Sequence, residues 1–380
     1  MRILHTADLH LGRQFNAIPL DEDHAAVLDQ ILRALVDRRA DVLIIAGDVF
    51  DRAAPPASAV RQFNGFLSRV ASQTQAAVVM IAGNHDSGDR IASMSVMTDA
   101  RRALIRGVVS AEERPLVLSD EHGAVAFSGL PFADEYASRE CFADETLQTP
   151  EDVLTAQLAA ARRNLPEGAR WVVVAHAFVS GAHGSQSERP LARVGGVETV
   201  RPEIFAGAHY VALGHLHRPQ FVGLPTVRYS GSPLAFGFDE AGAAKSMSLV
   251  DIDAAGRVTI EEIAFAPLHG VRVLRGRHAE LLRAQPSADF VKAVLTDDTP
   301  VIDGMKRLRA VFPNACDLTY ERDERAPEIK SLGAVPVRVA DPVEVIGDFL
   351  QFVRDDGLSG READVVATAL HDIRRREDAA

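Results

Sequence analysis

The chain has 380 residues, of which 47% are hydrophobic and 25% are charged, a composition typical of a globular protein with a large core and roughly two or three domains. Two cysteines exclude a disulfide framework, and the longest apolar runs, such as 76–82, are too short to cross a bilayer. The net charge of −12 argues against a protein that coats DNA with its own basic surface, although bound cations or a basic partner would change that balance. Because the first residues lack a secretory pattern, we expect a cytoplasmic protein that does not bind a membrane.

Short apolar runs that are followed at once by polar side chains recur along the first part of the chain. Runs of this length, rich in Val and Ile and bounded by Gly, are typical of buried strands. Apolar stripes at helical spacing around 28–36 and 60–70 predict helices between the first strands, and hence a largely parallel sheet. The carboxyl ends of parallel strands share an edge, so we expect the polar residues to meet at one sheet edge. These residues are Asp8, His10, Asp48, Asn84, His85, Asp86, His176, His215 and His217.

The pattern changes in the second half of the chain. Residues 246–252 and 257–263 flank a turn and predict a β-hairpin. After 266–270, strand and helix patterns alternate as far as residue 320, and Asp341 followed by Pro342 begins a pair of helices with apolar faces. We therefore predict a main α/β domain over 1–266, a small α/β domain over 267–330, and a linker with C-terminal helices over 331–380.

The polar residues at the strand ends suit a metal centre. Carboxylate, amide and imidazole donors without cysteine favour a borderline divalent ion such as Mn²⁺, Fe²⁺ or Zn²⁺. They are too many for one ion, whereas two ions about 3.5–4 Å apart would use them and would activate water for an in-line displacement at phosphorus. The candidate metal ligands are Asp8, His10, Asp48, Asn84, His176, His215 and His217.

Individual roles follow from chain position. Asp48 lies centrally among the candidates and is the natural bridge between two ions. Residues two apart in an extended segment point the same way, so His215 and His217 would give one ligand to each ion. His85 is the candidate proton donor to the leaving oxygen, with Asp86 as its orienting group. Each residue alone has an ordinary alternative, such as a helix cap, a turn residue or, for His176, a hydrogen-bonded core histidine; five consecutive strand ends of this kind argue against coincidence.

The segments ADLHLG, IIAGDVFD, IAGNHD and ALGHLH, together with His176 at a strand end, resemble the motifs of the calcineurin-like metallophosphoesterases in their order. Longer segments, including AGDVFDRAAPP, YVALGHLHRPQ and VRYSGSP, resemble the SbcD family of nuclease subunits. The resemblance covers the whole chain. It implies an α/β fold in which a β-sandwich is flanked by helices, with a small α/β capping domain and C-terminal helices.

The same resemblance implies a function and its residues. One ion, typically Mn²⁺, would be held by Asp8, His10, Asp48 and His217, and a second by Asp48, Asn84, His176 and His215. The activity would be hydrolysis of DNA phosphodiesters, as a double-strand exonuclease and a single-strand or hairpin endonuclease in break repair and recombination. The partners would be DNA and an SbcC-type coiled-coil ATPase, which the C-terminal helices would contact, in a heterotetramer built on a homodimer. Archaeal and eukaryotic members carry a second His where this chain has Asp51, so we expect no catalytic role for Asp51.

Two other functions remain open on the sequence alone. A general metallophosphoesterase acting on nucleotides or phosphoproteins would use every one of the same ligands; the additional domain and the C-terminal helices favour the nuclease over it. A non-catalytic scaffold would be expected to have lost ligands, and none is missing here. The C-terminal helices could also pack on their own capping domain instead of binding a partner.

Overall fold

A computed structural model describes residues 1–97, 99–188, 192–193, 196–197, 199–324, 350, 359–362 and 365–366. The chain divides into two compact units, Met1–Tyr320 and Glu321–Ala380. The linker and helical pair that we predict over 331–380 fall mostly outside the described residues. None of the helices in the described part combines the length and the apolarity needed to cross a bilayer.

The strands of the described residues are short. In chain order they are β1 (Arg2–Thr6), β2 (Gln14–Phe15), β3 (Ile18–Pro19), β4 (Val42–Ala46), β5 (Ala77–Ile81), β6 (Ala103–Arg106), β7 (Leu116–Asp120), β8 (Gly123–Leu130), β9 (Arg170–His176), β10 (Ala192–Arg193), β11 (Gly196–Val197), β12 (Tyr210–Gly214), β13 (Gln220–Val222), β14 (Leu224–Tyr229), β15 (Ser246–Ile252), β16 (Val258–Ala264), β17 (Val271–Gly276), β18 (Phe290–Leu295) and β19 (Ala315–Tyr320).

The helices lie between these strands or follow the last of them. They are α1 (Asp21–Arg38), α2 (Ala57–Gln73), α3 (Gly88–Ser93), α4 (Glu135–Phe142), α5 (Pro150–Arg163), α6 (His278–Leu281), α7 (Gly304–Arg309) and α8 (Glu321–Glu324). Short 3₁₀ turns occupy Met94–Met97, Pro202–Phe205 and Phe238–Glu240.

Two six-stranded sheets form the main domain. The first has the order β16-β15-β1-β4-β5-β6 and the second the order β13-β14-β12-β9-β8-β7. Strands β1, β4, β5 and β6 are parallel, as the alternation of strands and helices predicts, and β15 pairs with β16 as the predicted antiparallel hairpin. Strand β9 lies parallel to both β8 and β12 in the second sheet.

The sheets face each other, and helices cover their outer faces. On β4, Val42 and Ile44 pack between the two sheets, whereas Leu43 and Ile45 pack beneath α1 and α2. Strand β9 alternates in the same way between the interior and the face covered by α5. Side chains on a strand point to opposite faces in turn, so a strand buried on both faces reads as one continuous apolar run. The predicted β-sandwich flanked by helices is therefore confirmed.

The expectation of a single shared sheet edge is wrong. The polar residues follow β1, β4 and β5 of the first sheet but β9 and β12 of the second. The carboxyl ends of both sets of strands lie at the same end of the sandwich, where the ring of His176 is hydrogen-bonded to the carbonyl of Ala46 on the opposite sheet. The residues still converge, because the two sheets pack face to face with their parallel strands running in compatible directions.

A third sheet follows the hairpin. Strands β17, β18 and β19 lie where the sequence predicts strands and are parallel, and α6 and α7 pack on them around a separate core that includes Val291, Leu308 and Phe312. The ring of Phe290, at the start of β18, stacks on Phe15 with centroids 4.8 Å apart. Both large sheets and this smaller one belong to the unit Met1–Tyr320. The boundaries at 266 and 330 stay predictions.

Candidate metal centre

The structure brings all seven predicted ligands together at one end of the sandwich. All except the partly exposed Asn84 are buried. The segments that carry them are bound to one another through the backbone: the amide of Asp8 donates to the carbonyl of Gly47 at 3.0 Å, and the amide of His10 donates to the carbonyl of Asp48 at 3.0 Å. The seven residues are Asp8, His10, Asp48, Asn84, His176, His215 and His217.

The backbone around this cluster is unusually constrained. Four of the candidate ligands have positive φ angles: Asp8 at 53°, His10 at 46°, Asp48 at 48° and His215 at 105°. Non-glycine residues adopt this region rarely, and such strain is concentrated at functional sites, where packing holds it in place. Gly214 permits the close approach of the two sheets, because a Cβ atom there would collide with the carbonyl oxygen of Ala46. The backbone after these strands therefore adopts conformations that direct the candidate ligands toward one another.

Asp48 occupies the middle of the cluster. Its Oδ2 atom lies 3.6 Å from Nε2 of His10 and 3.4 Å from Nε2 of His176. Its Oδ1 atom accepts a hydrogen bond from the backbone N–H of His85 at 2.9 Å, which fixes the carboxylate plane. On one side, Nε2 of His10 faces Nε2 of His217 at 3.2 Å. Asp48 is thus within reach of two groups of donors at once.

The other side of the cluster is organised by Asn84. Its Oδ1 atom lies 2.9 Å from Nε2 of His176 and 3.1 Å from Nδ1 of His215. The Nδ1 atom of His176 donates to the carbonyl of Ala46 at 2.9 Å, which turns Nε2 toward the cluster. The backbone N–H of His215 donates to Oδ1 of Asp8 at 2.8 Å.

Burial and mutual charge shift the titration of these groups in opposite directions. Burial lowers the pKa of His215 to about 3. Burial also acts to lower the pKa of His176, but the carboxylates of Asp48 and Asp8, together with the hydrogen bond to the carbonyl of Ala46, outweigh burial and raise that pKa to about 9. Burial raises the pKa of Asp8 well above its usual value. Imidazoles and carboxylates this close and this deeply buried are stabilised by a positive charge between them.

The donor set fits divalent cations. Among the described residues, no hydrogen-bond donor reaches Oδ2 of Asp8, although this carboxylate oxygen is buried. A buried, uncompensated carboxylate oxygen is costly unless a cation neutralises it. The potential ligand atoms form two sets, and within each set all atoms lie within 4.8 Å of one another. One set contains Asp8, His10 and Asp48, and the other contains Asp48, His176 and His215, so the two sets share Asp48. The mixture of oxygen and imidazole nitrogen is suited to Mn²⁺, Fe²⁺ or Zn²⁺.

His85 and Asp86 are placed differently from each other. The ring of His85 lies edge-on to that of His10 with centroids 4.7 Å apart, and its Nδ1 atom donates to the carbonyl of Asp51 at 2.9 Å. The carboxylate of Asp86 accepts hydrogen bonds from the backbone N–H groups of Val49, Phe50 and Gly83. The orienting contact of His85 is therefore a backbone carbonyl, and Asp86 ties together the loops that follow β4 and β5.

Asp51 lies closer to the cluster than the sequence suggests. Its Oδ1 atom is 3.7 Å from Nδ1 of His10 and 3.4 Å from the guanidinium of Arg13, and it forms a third set of possible ligand atoms with His10 and His85. Arg13 in turn stacks over the ring of Phe236 at 4.6 Å. Arg13 compensates the Asp51 carboxylate, which distinguishes it from the uncompensated Asp8.

Sequence reasoning misses the residues that surround His217. The backbone N–H of His217 donates to Oε1 of Glu188 at 2.7 Å, and its carbonyl accepts from Nζ of Lys245 at 2.8 Å. Ser187 and Glu240 complete this environment. All four lie in polar segments without a recognisable motif, and only their approach in the folded chain reveals them.

Two buried histidines outside the predicted set have ordinary partners away from the cluster. His5 is buried between the sheets with Nδ1 2.8 Å from the hydroxyl of Tyr210. His278 contacts the carbonyl of Gly304 at 3.0 Å through Nε2. His371 lies outside the described residues.

Comparison with known proteins gives two family matches. The calcineurin-like phosphoesterase family matches residues 1–219, more than half of the chain. The SbcD C-terminal domain, described as the type 5 capsule protein repressor C-terminal domain, matches residues 267–354. The second match begins where we predict the small domain to begin.

Solved structures also resemble this chain. The crystal structure of TT1561 of Thermus thermophilus is 16% identical, with a TM-score of 0.40, and the alignment covers 69% of this chain and 98% of that one. GAP50, the anchor in the inner membrane complex of Plasmodium, is 9% identical, with a TM-score of 0.42, and the alignment covers 84% of this chain and 96% of that one. At these TM-scores the likeness carries no argument about function.

Proposed function

The chain belongs to the calcineurin-like phosphoesterases and carries an SbcD-type C-terminal domain, and on this premise we propose that it is the nuclease subunit of an SbcCD-type complex. Membership of the family makes the chain a metal-dependent phosphoester hydrolase. The nuclease activity is the proposal: hydrolysis of DNA phosphodiesters at double-stranded ends and in single strands or hairpins, in break repair and recombination.

The observation that carries this proposal is the central position of Asp48. A carboxylate oxygen within 3.6 Å of Nε2 of His10 and 3.4 Å of Nε2 of His176 supports a bridging role between two divalent ions. One ion would be held by Asp8, His10, Asp48 and His217, and the other by Asp48, Asn84, His176 and His215. When bound, such a pair of ions supplies an activated water and stabilises charge on the attacking and leaving oxygens. Mn²⁺ is the proposed ion.

His85 is proposed as the group that gives a proton to the leaving oxygen. A carbonyl oxygen only accepts, so the contact with Asp51 requires a proton on Nδ1 of His85 and leaves Nε2 as the atom that exchanges its proton. The ring borders His10 without belonging to either proposed set of ligands, which suits a group that contacts the substrate.

We propose DNA and an SbcC-type coiled-coil ATPase as partners, in a heterotetramer built on a homodimer. The match of the SbcD C-terminal domain to residues 267–354 supports the assembly, and the second part of that match lies in the segment that we expect to contact the ATPase. The net charge of −12 is consistent with a complex in which the partner subunit contributes much of the basic DNA-binding surface. The alternative is a general metallophosphoesterase, which uses the same ligands.

The test is cleavage of a labelled DNA hairpin and a linear duplex in Mn²⁺, with and without the SbcC-type ATPase and ATP, beside a small phosphodiester ester. We expect His85→Ala to keep its bound metal and to lose about 100- to 10,000-fold in rate, the range typical of a general acid. His122→Ala, at a partly exposed position outside the cluster, is the matched control and should cleave DNA normally.

Turnover of the small ester alone, with DNA intact even when the ATPase and ATP are present, would favour the general phosphoesterase. Loss of metal from His85→Ala would instead make His85 a ligand. Metal content is measured on the same preparations by elemental analysis.

A further inference from the structure

A row of hydrogen-bonded side chains, which begins at the half-buried Ser187, leads from the ring of His217 away from the candidate metal centre. The hydroxyl of Ser187 lies 2.7 Å from Nδ1 of His217 and 2.6 Å from Oε1 of Glu240. Glu240 forms an ion pair with Lys245, and the exposed fractions of Glu240 and Lys245 are only 1% and 6%. Three polar groups are thus aligned behind one proposed ligand.

The direction of the hydrogen bonds among Ser187, Glu240 and Lys245 follows from the charge of Glu240 and Lys245. Beside the ammonium of Lys245, Glu240 is a carboxylate and can only accept. Oε1 of Glu240 also accepts from the backbone N–H of Phe236 at 3.2 Å, which holds the carboxylate in place. The hydroxyl of Ser187 has a single proton, and this proton is directed to Glu240. The oxygen of Ser187 is then an acceptor toward Nδ1 of His217.

An acceptor at this position requires the proton of the neutral His217 ring to be on Nδ1. Nε2 then carries the lone pair, and it is Nε2 that faces the cluster, 3.2 Å from Nε2 of His10. Metal-binding histidines commonly donate their other ring N–H to a fixed acceptor, which sets both tautomer and ring orientation. The hydrogen bonds of Ser187 and Glu240 therefore favour the tautomer of His217 whose Nε2 atom can bind a cation.

We propose that Ser187 and Glu240 are positioning residues that fix His217 in the tautomer with a free Nε2 lone pair. The inference rests on the proposed function in that the ion would be the divalent metal of the phosphoesterase centre. The backbone of His217 is fixed independently, because Glu188 accepts from its N–H at 2.7 Å and Lys245 donates to its carbonyl at 2.8 Å. Ser187 and Glu240 accordingly act on the ring, and Glu188 and Lys245 on the main chain.

The first measurement is the tautomer of His217 in the full chain with metal removed, read from the ¹⁵N chemical shifts of its ring nitrogens and assigned by the signal missing in His217→Asn. We expect Nδ1–H in the original chain and a change toward Nε2–H in Ser187→Ala. Ser187→Thr keeps a hydroxyl and should restore Nδ1–H. Ser185→Ala is the matched control. It removes the adjacent hydroxyl, which contacts Ser187 at 2.9 Å and Glu188 at 3.1 Å, and it leaves the hydroxyl of Ser187 in place.

The second measurement is Mn²⁺ binding to the same variants by calorimetric titration. Loss of an orienting contact of this type weakens metal binding by about 10- to 100-fold, and we expect that loss at one of two sites in Ser187→Ala but neither in Ser187→Thr nor in Ser185→Ala. An unchanged tautomer in Ser187→Ala, no rescue by Ser187→Thr, or an equal effect of Ser185→Ala would overturn the proposal.

The role of Glu240 is tested by the double variant Glu240→Gln with Lys245→Met, which removes both buried charges together and avoids leaving one unpaired. An amide at position 240 can donate to Ser187, so we expect part of the His217 population to change to Nε2–H. Full retention of Nδ1–H would remove Glu240 from the proposal. If the original chain binds no Mn²⁺, the proposed function fails, and the tautomer in metal-free protein still decides the role of Ser187.

Discussion

The two halves of the metal centre are held in place in different ways. On one side, side chains from distant segments fix His217: Glu188 contacts its N–H, Lys245 its carbonyl and Ser187 its ring. On the other side, main-chain pairing fixes His176, which is the last residue of β9 and lies in register with Gly214 of β12. Its ring donates to a backbone carbonyl rather than to a side chain.

This difference between main-chain and side-chain support predicts which substitutions each half tolerates. A ligand held by strand pairing keeps its place when a neighbouring side chain changes, because main-chain hydrogen bonds do not depend on residue identity. A ligand held by side chains depends on each of them separately. The backbone position of His176 should therefore change only when the strands themselves are displaced, whereas the position of His217 should respond to the loss of single polar side chains.

The largest effect is expected at Asp48, where the two halves meet. Asp48→Ala removes the proposed bridge, so we expect loss of both ions and a fall of at least about 1,000-fold in hydrolysis, equivalent to several kcal/mol of transition-state stabilisation. Bound Mn²⁺ per chain and hydrolysis of a phosphodiester ester measure the two effects. Asp37→Ala, an exposed position in α1, should match the original chain. One ion retained at full affinity would show that Asp48 does not bridge.

In the half that strand pairing holds in place, we expect the largest loss of stability from a substitution at Gly214. In Gly214→Ala the new methyl group meets the carbonyl of Ala46 and the ring of His176, neither of which can move cheaply, so we expect destabilisation by about 3 kcal/mol or more. Urea unfolding, followed by the fluorescence of Trp171, measures it. The control is Gly65→Ala, where the methyl group meets no atom within 4 Å in the helix α2, and a gain of about 0.5–1 kcal/mol is expected. Equal stabilities of the two variants would contradict the close approach of the sheets.

A smaller effect is expected from His5, a buried histidine outside both halves. Burial first, and then the charge of Arg228, lowers the pKa of His5 to about 3. The unfolded chain takes up a proton near pH 6.5 and the folded chain does not. The stability contributed by the neutral ring is therefore complete above about pH 6.5 and is lost progressively as the pH falls toward about 3.

At pH 5 this loss amounts to about 2 kcal/mol relative to pH 7. Urea unfolding of the original chain and of His5→Gln, both with metal chelated, should show the original chain losing this much more stability than the variant between the two pH values. Parallel losses in both proteins would mean that His5 is protonated in the folded state.

Much of the fold and of the strand-held half could be predicted from the sequence, because both depend on local pattern. Continuous Val- and Ile-rich runs indicated β4 and β9, and the polar residue after each run indicated Asp48 and His176. The pattern does not say which strands share a sheet, since pairing such as that of β1 with β15 is set by packing over long separations. The division of the cluster between two sheets was missed for this reason.

The side-chain-held half was harder to predict, because its members have no common pattern. Glu240 and Lys245 are separated from Ser187 by more than fifty residues, and charged residues in polar segments usually lie on a solvated surface. Asp86 shows the converse problem: adjacency to His85 suggested a direct contact, whereas the loop directs its carboxylate to three backbone N–H groups. Sequence neighbours share a direction only where the backbone is regular.

The pairing of β1 with β15 joins Arg2 to Asp251, residues 249 positions apart. At a synthesis rate of about 5–20 residues per second, the first strand waits roughly 12–50 s before this neighbour leaves the ribosome. Asp8 and His10 follow the first strand directly, and His217 and Lys245 are made just before β15. A nascent chain therefore completes its hydrolytic centre only when the main domain itself closes, and a truncated product of interrupted translation would carry the motifs without the catalyst.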